Sequence, residues 1–335
     1  MRRLAILDDY TRSATSVVDW SLLARECDIT VFDRHLDEGE AATALKDFEI
    51  LCTLRERMAF PRTLLERLPR LRLIAATGAR HHRSMDVEAA TALGILCCYT
   101  TGLGNGMNAP AEHAWALILA LAKRVPDDVA SMRRGGWQRG AGIALHGRTL
   151  GLLGLGRVAQ GMCAVAKAFG MEVIAWSQNL TDEKAAAHGA RRVTKEALFR
   201  DSDFLSVNLM LSERTIDLVG SAELALMKPS AFLINTARGP IVNENALVDA
   251  LERKQIAGAA LDVFDHEPLP DDHALRRLDN CILTPHMGYT VTELLAAFYA
   301  DTIENVSMYL KGAPIRLLNP EALGDRRGSR QGLDS

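Results

Sequence analysis

Short apolar segments rich in β-branched residues alternate with longer amphipathic segments along most of the chain, and this alternation limits the possible folds more than any other feature. Parallel strands need crossover connections, usually helices, so the pattern predicts βαβ units. A first series predicts strands at 4–7, 50–54, 71–77 and 95–99, with a helix at 62–68. A second series predicts strands at 149–155, 172–177, 204–209, 231–236, 257–264 and 281–284. We therefore expect an α/β fold with doubly wound parallel sheets.

The length and the connecting segments indicate how the two series are joined. With 335 residues, the chain exceeds the size at which one hydrophobic core usually stops growing, so two domains are expected. Pro110 suits the first turn of a helix and strong helix formers follow it, which predicts a helix at 110–123. A second long helix is expected at 292–310. The C-terminal segment 321–335 contains the polar run GDRRGSRQGLDS and is expected to be disordered.

The composition argues against several classes of partner. The formal net charge is −3, so no global positive field attracts phosphate backbones, and nucleic acid is not an expected partner. The most apolar helical stretch, 114–122, is far shorter than the roughly 20 residues that cross a bilayer, so no membrane contact is expected. Asp8 and Asp9 interrupt the N-terminal segment before an apolar signal region forms, which favours a cytoplasmic protein. Six cysteines are scattered without CxxC spacing, and we expect reduced core thiols and no metal site: Cys27, Cys52, Cys97, Cys98, Cys163 and Cys281.

The segment GLLGLGRVAQG contains closely spaced glycines after an apolar strand and before an amphipathic helix. Gly154 permits a tight turn, Gly156 lets the backbone approach a pyrophosphate, and Ala159 is the third small residue, where helix and strand pack closely. The start of the helix, at Arg157 and Val158, supplies backbone N–H groups for phosphates. The sequence therefore predicts a dinucleotide-binding site.

The next strand does not decide which dinucleotide is bound. Its end would carry a carboxylate for the ribose hydroxyls of NAD, or an arginine nearby for the 2′-phosphate of NADP. The residues there are Ser177, Gln178 and Asn179, and the first two can hydrogen-bond either form. The choice between NAD and NADP stays open.

Three polar residues follow successive predicted strands of the second series: Arg238 in INTARG, Glu267 in LDVFDHEPLP and His286 in LTPHMGY. Carboxyl ends of parallel strands share one edge of a sheet, so these side chains are expected to converge. Histidine exchanges protons near neutrality, a neighbouring carboxylate favours its charged form, and arginine binds a carboxylate through two hydrogen bonds. Each residue alone has an ordinary surface explanation, but together they predict hydride transfer between a nicotinamide coenzyme and a small 2-oxo or 2-hydroxy acid.

Over nearly the whole chain, 3–320, the sequence resembles the D-isomer-specific 2-hydroxyacid dehydrogenase family, most specifically in GLLGLGRVAQG, MKPSAFLINTARGPIVNENAL, GAALDVFDHEPLP and LTPHMGY. The resemblance implies a discontinuous, flavodoxin-like substrate domain built from 1–103 and 290–320. It also implies a Rossmann domain for the coenzyme at 104–289, so that boundaries fall near Leu103 and Tyr289. Family members are usually dimeric through the coenzyme domain, and a homodimer using the helix at 110–123 is implied.

The resemblance also implies roles for individual residues. Arg238 would be the catalytic arginine, His286 the acid/base and Glu267 the residue that supports the histidine. Asp262 would hold the nicotinamide carboxamide. Residues expected beside the coenzyme are Gly154, Gly156, Arg157, Val158, Ser177, Gln178, Ala237, Arg238, Asp262, His286 and Gly288. Residues expected around the substrate are Arg55, Thr77, Gly78, Ala79, Arg80, Arg238 and His286.

The sequence departs from the family pattern in the substrate loop, TGARHHRSMD, which is bulkier and more basic than the usual glycine-rich form. Three interpretations of His81, His82 and Arg83 stay open: an exposed turn, a narrowing of the cleft, or binding of a second anionic group. Glyoxylate or hydroxypyruvate is the preferred substrate, and phosphoglycerate is disfavoured because no regulatory domain follows Pro320. Two alternatives stay open: a coenzyme-sensing corepressor-like protein of the same fold, and a dehydrogenase acting on formate or phosphite.

Overall fold

The computed structural model describes residues 1–78, 84–101 and 108–324. The chain divides into two compact units. The discontinuous unit comprises Met1–Met107 and Thr290–Ser335, and the continuous unit comprises Asn108–Tyr289. The boundary expected near Leu103 lies outside the described residues.

The discontinuous unit is built on a parallel sheet of five strands in the order β2-β1-β3-β4-β5. Its strands are β1 (Arg2–Ile6), β2 (Cys27–Val31), β3 (Ile50–Thr53), β4 (Leu73–Ala76) and β5 (Leu96–Cys98). Its first helices are α1 (Ala14–Val17), α2 (Ser21–Ala24), α3 (Glu38–Ala44), α4 (Arg62–Leu65) and α5 (Val87–Ala92). This strand order is the flavodoxin-like one, so the predicted fold class is confirmed for this unit. The inner strands β3 and β4 are buried at every position, as expected for strands covered on both faces.

The continuous unit contains a parallel sheet of seven strands in the order β12-β11-β10-β9-β6-β7-β8. Its strands are β6 (Thr149–Leu153), β7 (Glu172–Trp176), β8 (Arg191–Arg192), β9 (Phe204–Val207), β10 (Phe232–Asn235), β11 (Gly258–Leu261) and β12 (Cys281–Leu283). Its helices are α6 (Ala109–Lys123), α7 (Val125–Arg133), α8 (Arg157–Ala168), α9 (Asp182–Ala186), α10 (Lys195–Asp201), α11 (Ser221–Leu226) and α12 (Glu244–Glu252). Short 3-10 helices occur at Gly239–Ile241 and Ala274–Arg277.

The seven-stranded order confirms the predicted Rossmann-like sheet. The strands β7 and β8 lie on one side of β6, and β9 to β12 lie on the other side. The strand order therefore reverses between β6 and β9. Ligands of such sheets bind beyond the carboxyl ends of the strands at this reversal point. The polar segments after β6, β7, β10, β11 and β12 therefore all lie along the edge where a ligand is expected.

The chain returns to the discontinuous unit through α13 (Thr292–Leu310), whose bounds are those predicted. Asn319 then ties the returning segment to the sheet, because its Oδ1 accepts from Cys97 N at 2.8 Å and its Nδ2 donates to Ile95 O at 2.9 Å. A 3-10 helix at Pro320–Leu323 follows, with Ala322 fully buried. The expectation of disorder from 321 is thus wrong for residues 321–323, because this anchor and the buried alanine hold them. Residues 325–335 lie outside the described residues.

Within the described ranges, no helix combines the length and the apolar character that crossing a membrane requires.

Candidate active site

The glycine turn after β6 is shaped for a close backbone approach. Gly154 has φ +99°, and a Cβ added to it would lie 2.9 Å from the carbonyl oxygen of Asn208 at the end of β9. Gly154 N also donates to Trp176 O at 2.8 Å, so the turn is fixed between the ends of β7 and β9. Both the backbone conformation and the lack of space therefore exclude a side chain at position 154.

The start of α8 provides an anion site of the type that dinucleotides use. Gly156 is the N-cap and no side chain caps this helix end, so its first N–H groups face outward. A Cβ at Gly156 would meet nothing within 4 Å, which leaves room for a phosphate. Arg157 is exposed, Val158 is half-buried and Ala159 is fully buried against the sheet. The donor groups and the open space both fit a dinucleotide pyrophosphate.

The end of β7, where the adenosine ribose is expected, carries Ser177, which is half-buried, and Gln178, which is exposed. The structure adds a basic residue that the sequence reading missed, because Arg192 in β8 is paired with Ala175 in β7. The Arg192 Nη1 atom lies 3.6 Å from Asp182 Oδ1. Charges of both signs therefore flank this end of the sheet, and neither coenzyme is selected.

Glu267 and His286 meet at the edge formed by β11 and β12. The His286 Nδ1 atom lies 2.5 Å from Glu267 Oε2, and Phe264 N donates to Glu267 Oε1 at 3.0 Å. The Tyr289 ring packs edge-on against the imidazole with centroids 5.7 Å apart. Both side chains are partly solvent-accessible, 19% for His286 and 30% for Glu267. The imidazole is thus oriented through Nδ1, and its Nε2 is the nitrogen left for proton transfer.

Arg238 follows β10, the neighbour of β11, so it lies on the same edge of the sheet. Its Nη1 donates to Ala237 O at 2.7 Å, and its own carbonyl accepts from Asn235 Nδ2 at 3.0 Å. Gly239 packs its backbone against the segment that leads to Glu267, since a Cβ there would lie 2.1 Å from the Phe264 carbonyl carbon. Gly239 went unnoticed in the sequence, although a glycine directly after a candidate arginine is the signal for such a contact.

The Asp262 carboxylate, which the resemblance places at the nicotinamide carboxamide, is buried among hydrogen-bond donors. It is 1% exposed and accepts hydrogen bonds from Thr284 Oγ1 at 2.6 Å, Met287 N at 2.9 Å and Gly288 N at 2.9 Å. His113 Nε2 lies 3.2 Å from the same carboxylate. Three of these contacts involve Oδ1 and one involves Oδ2, so Oδ2 keeps acceptor capacity and the expectation that Asp262 holds the nicotinamide carboxamide stays a prediction. Nothing in the sequence pattern singled out His113 or Thr284.

Of the residues expected around the substrate, Arg55, Thr77 and Gly78 belong to the discontinuous unit. The Arg55 backbone has φ +57°, and its N–H donates to Thr77 Oγ1 at 2.8 Å. The Arg55 guanidinium packs against Gly78, where an added Cβ would lie 2.6 Å from Nη1, and lies 6.0 Å from the Phe298 ring centroid. Gly78 N donates to Thr100 Oγ1 at 2.7 Å. Arg55, Thr77 and Gly78 thus form one cluster at the ends of β3 and β4.

The remaining predicted loop residues, Ala79, Arg80, His81, His82 and Arg83, lie outside the described residues.

Together the dinucleotide turn and the oriented histidine define the class of a nicotinamide-linked oxidoreductase, and the comparisons agree. Residues 115–288 match the model of the D-isomer specific 2-hydroxyacid dehydrogenase, NAD binding domain. A glyoxylate reductase of Aeropyrum pernix is 37% identical over 319 residues, which are 91% of this chain and 94% of that protein. A D-3-phosphoglycerate dehydrogenase of Synechocystis is 35% identical over 84% of this chain but only 50% of its own length. The crystal structure of a phosphoglycerate oxidoreductase from Vibrio cholerae o395 superposes with a TM-score of 0.88, at 32% identity, covering 93% of this chain and 100% of that one.

The chain belongs to the D-isomer specific 2-hydroxyacid dehydrogenase family. It is an NAD(P)-dependent oxidoreductase that acts on the CH–OH group of small 2-hydroxy acids.

Proposed function

We propose that this enzyme interconverts a small 2-oxo acid, glyoxylate or hydroxypyruvate, and its 2-hydroxy acid, with His286 as acid/base. The observation that carries the proposal is the 2.5 Å contact between His286 Nδ1 and Glu267 Oε2. This pair lies on the sheet edge that also bears the glycine turn and Arg238. Glu267 fixes the imidazole, and Arg238 supplies a permanent positive charge on the same edge of the sheet.

The roles of the residues follow from their chemistry. A bound NADH or NADPH supplies a hydride to the carbonyl carbon of the substrate. The Arg238 guanidinium holds the substrate carboxylate through its fork of donors and polarises the carbonyl oxygen. His286 delivers a proton from Nε2 to that oxygen, while Glu267 stabilises the protonated imidazole through Nδ1. In the oxidation of the hydroxy acid, the same imidazole receives the proton.

The coenzyme is proposed to lie along the turn formed by Gly154, Gly156, Arg157 and Val158. Ser177 and Gln178 would contact its adenosine ribose, and Ala237 and Gly288 would lie near its nicotinamide end. The discontinuous unit is proposed to bind the substrate through Arg55, Thr77, Gly78, Ala79 and Arg80. Support comes from the way Gly78 leaves space for the Arg55 guanidinium.

The choice of glyoxylate or hydroxypyruvate is supported by a relative. The Aeropyrum pernix protein named a glyoxylate reductase matches over nearly the full length of both chains, 91% and 94%. The phosphoglycerate dehydrogenase of Synechocystis shares only half of its own length with this chain.

A spectrophotometric screen tests the proposal. NADH and NADPH are each combined with glyoxylate, hydroxypyruvate, pyruvate and branched 2-oxo acids, and 3-phosphoglycerate oxidation is followed with NAD and NADP. We expect the highest kcat/KM with glyoxylate or hydroxypyruvate, and the same screen measures the coenzyme preference. Coenzyme binding without turnover of any acid would favour a coenzyme sensor and end the proposal.

Replacing Glu267 by Gln is expected to change the pH dependence of 2-oxo acid reduction. The carboxylate at Nδ1 favours the protonated imidazole that the reaction uses, and an amide does not. The decline of kcat with rising pH should therefore begin at lower pH in Glu267→Gln than in the wild type. The measurement is kcat across the neutral range, with Glu293→Gln in α13 as the control. Superimposable profiles would remove the coupling between Glu267 and His286.

We further propose that the enzyme is a cytoplasmic homodimer. Helix α7 exposes large apolar side chains at positions four and three residues apart, Val125, Val129 and Met132, with exposures of 48%, 43% and 54%. Trp137, which follows this helix, is 70% exposed. A contiguous row of this kind is typical of protein interfaces. The helix α6, which the resemblance implies for the interface, buries Ala114, Trp115, Leu117 and Ile118 in the core of its own unit.

The double variant Val129→Asp, Met132→Asp is expected to be a monomer, because two charges would be desolvated at the centre of the proposed interface. Light scattering coupled to size-exclusion chromatography measures the mass. Met210→Asp, at an apolar position that is 86% exposed on another segment, is the control and should stay dimeric. A wild type that is monomeric at micromolar concentration would contradict the dimer.

A further inference from the structure

His286 has a backbone conformation that needs external support. Its φ is +50°, in the left-handed region that side chains with a Cβ seldom adopt. The local turn supplies one hydrogen bond, from His286 N to Thr284 O at 3.0 Å. The Glu267 contact orients the ring but does not hold the main chain. Other groups must therefore keep this turn in place.

The Asp262 carboxylate holds the turn on both sides of His286. Before the histidine, Thr284 Oγ1 donates to Asp262 Oδ1 at 2.6 Å. After it, Met287 N donates to Oδ1 and Gly288 N to Oδ2, each at 2.9 Å. Hydrogen bonds to an ionised group are stronger than neutral ones, so one buried charge fixes the conformation of the residues around His286.

His113, on α6, completes this arrangement from another element. Its Nε2 lies 3.1 Å from Thr284 Oγ1 and 3.2 Å from Asp262 Oδ1. The single hydroxyl hydrogen of Thr284 is directed to Asp262, and an ionised carboxylate has no hydrogen, so the donor in both contacts is the His113 Nε2–H. The side chain of His113 is 14% exposed. The ring is thus held in one tautomer at the point where α6 meets the turn.

We propose that His113 is a positioning residue that acts through Asp262 and Thr284 to hold the turn that presents His286. This proposal rests on the proposed role of His286 as acid/base. Asp262, supported by His113, holds the main chain on either side of His286 in the sequence, and Glu267 contacts the imidazole ring. The backbone and the ring of His286 are therefore held by different residues.

The protonation of Asp262 gives the proposal a pH signature. Burial acts to raise the pKa of Asp262, but the hydrogen bonds from His113, Thr284 and Met287 hold that pKa below its ordinary value. The charged or titratable group facing the carboxylate from α6 is His113, and the main-chain N–H groups come from the turn after β12. Removing the His113 donor takes away one cause that lowers the pKa of Asp262, so this carboxyl takes up a proton at higher pH than in the wild type. The turn then loses its acceptor in acid.

The test compares His113→Phe, which removes the donor, with His113→Gln, whose amide places an N–H near the position of Nε2. We expect His113→Phe to lower kcat by about 10- to 100-fold, because a misplacement of about 1 Å at a catalytic group costs up to about 10². His113→Gln should stay within about threefold of the wild type. The ratio of His113→Phe activity to wild-type activity should fall as the pH is lowered, because Asp262 is protonated more readily in the variant. His188→Gln, at an exposed position in the segment after α9, is the matched control and should leave all values unchanged.

Hydrogen exchange provides a readout that does not depend on turnover. The amides of Met287 and Gly288 should exchange at least about tenfold faster in His113→Phe than in the wild type, while amides of the distant strand β7 keep their rates. Unchanged kcat and unchanged exchange in His113→Phe would overturn the proposal. Equal losses in His113→Phe and His113→Gln, with no change of exchange at 287 and 288, would assign His113 a purely structural role. A wild type that reduces no 2-oxo acid would instead refute the proposed function, and the exchange result would still report on the turn.

Discussion

Replacing His286 by Ala is expected to lower kcat for 2-oxo acid reduction by roughly 10²- to 10⁴-fold, because general acid catalysis typically contributes that factor. The dissociation constant of the coenzyme should stay nearly unchanged, since the glycine turn after β6 and the start of α8 are distant in the sheet order from β12. Steady-state kinetics give kcat, and the quenching of protein fluorescence by the reduced coenzyme gives its affinity. His188→Ala, at an exposed position, is the control.

Three outcomes of this experiment would contradict the assignment. A variant with wild-type kcat on glyoxylate or hydroxypyruvate would show that the proton comes from another group. Turnover of formate that persists in His286→Ala would point to a formate-type reaction, in which a hydride leaves a small anion and no carbonyl oxygen is protonated. Loss of coenzyme affinity together with kcat would mean that His286 shapes the coenzyme site rather than transferring a proton.

Replacing Arg238 by Lys is expected to lower kcat/KM by about 10²-fold, the effect of removing one preorganised donor at a reacting oxygen. The charge is kept, but the planar fork that binds a carboxylate at two points is lost. Both kcat and KM should worsen, because the guanidinium is proposed to act on the carboxylate and on the carbonyl.

The control for the arginine variant is Arg253→Lys. Arg253 is exposed and pairs with Asp249 at 2.8 Å on the surface of α12, so its replacement should be silent. Equal kinetics for Arg238→Lys and the wild type would remove Arg238 from substrate binding. A loss of thermal stability in Arg238→Lys, without a kinetic defect at lower temperature, would assign the residue to packing.

The alternation of apolar and amphipathic segments was sufficient to predict the class of the fold, because buried parallel strands are nearly continuous apolar runs. It missed two edge strands, β2 and β8, although the edge strands β5 and β12 were predicted. The strand β2 exposes Asp28 and Val31, and β8 consists of two exposed arginines, so neither carries a continuous apolar run. Pairing with a neighbouring strand, rather than burial, makes these segments strands. Helix lengths were less well predicted, as α4 ends at Leu65 and not at 68.

The candidate site, like the fold, could be predicted only in part from the sequence. Glu267 and His286 could be paired in advance, because both follow strands that end at one edge of a sheet. The partners of Asp262 could not be predicted, because His113 is distant in sequence and lies on a helix that is otherwise mostly apolar. The fold directs the Asp262 carboxylate to Thr284, Met287 and Gly288, partners that neither the strand pattern nor the resemblance indicated. The roles of these residues in turnover stay predictions.

The absence of a side chain at Gly239 has a consequence for how the enzyme can vary. Because the main chain of Gly239 touches that of Phe264, the stretch bearing the guanidinium and the stretch bearing the carboxylate cannot be displaced separately. A mutation that shifts the Arg238 segment will also shift the Glu267 segment, so the positions of the guanidinium and of the Glu267 carboxylate will change together. Variants that accept bulkier acids should therefore arise outside the segments around Gly239 and Phe264.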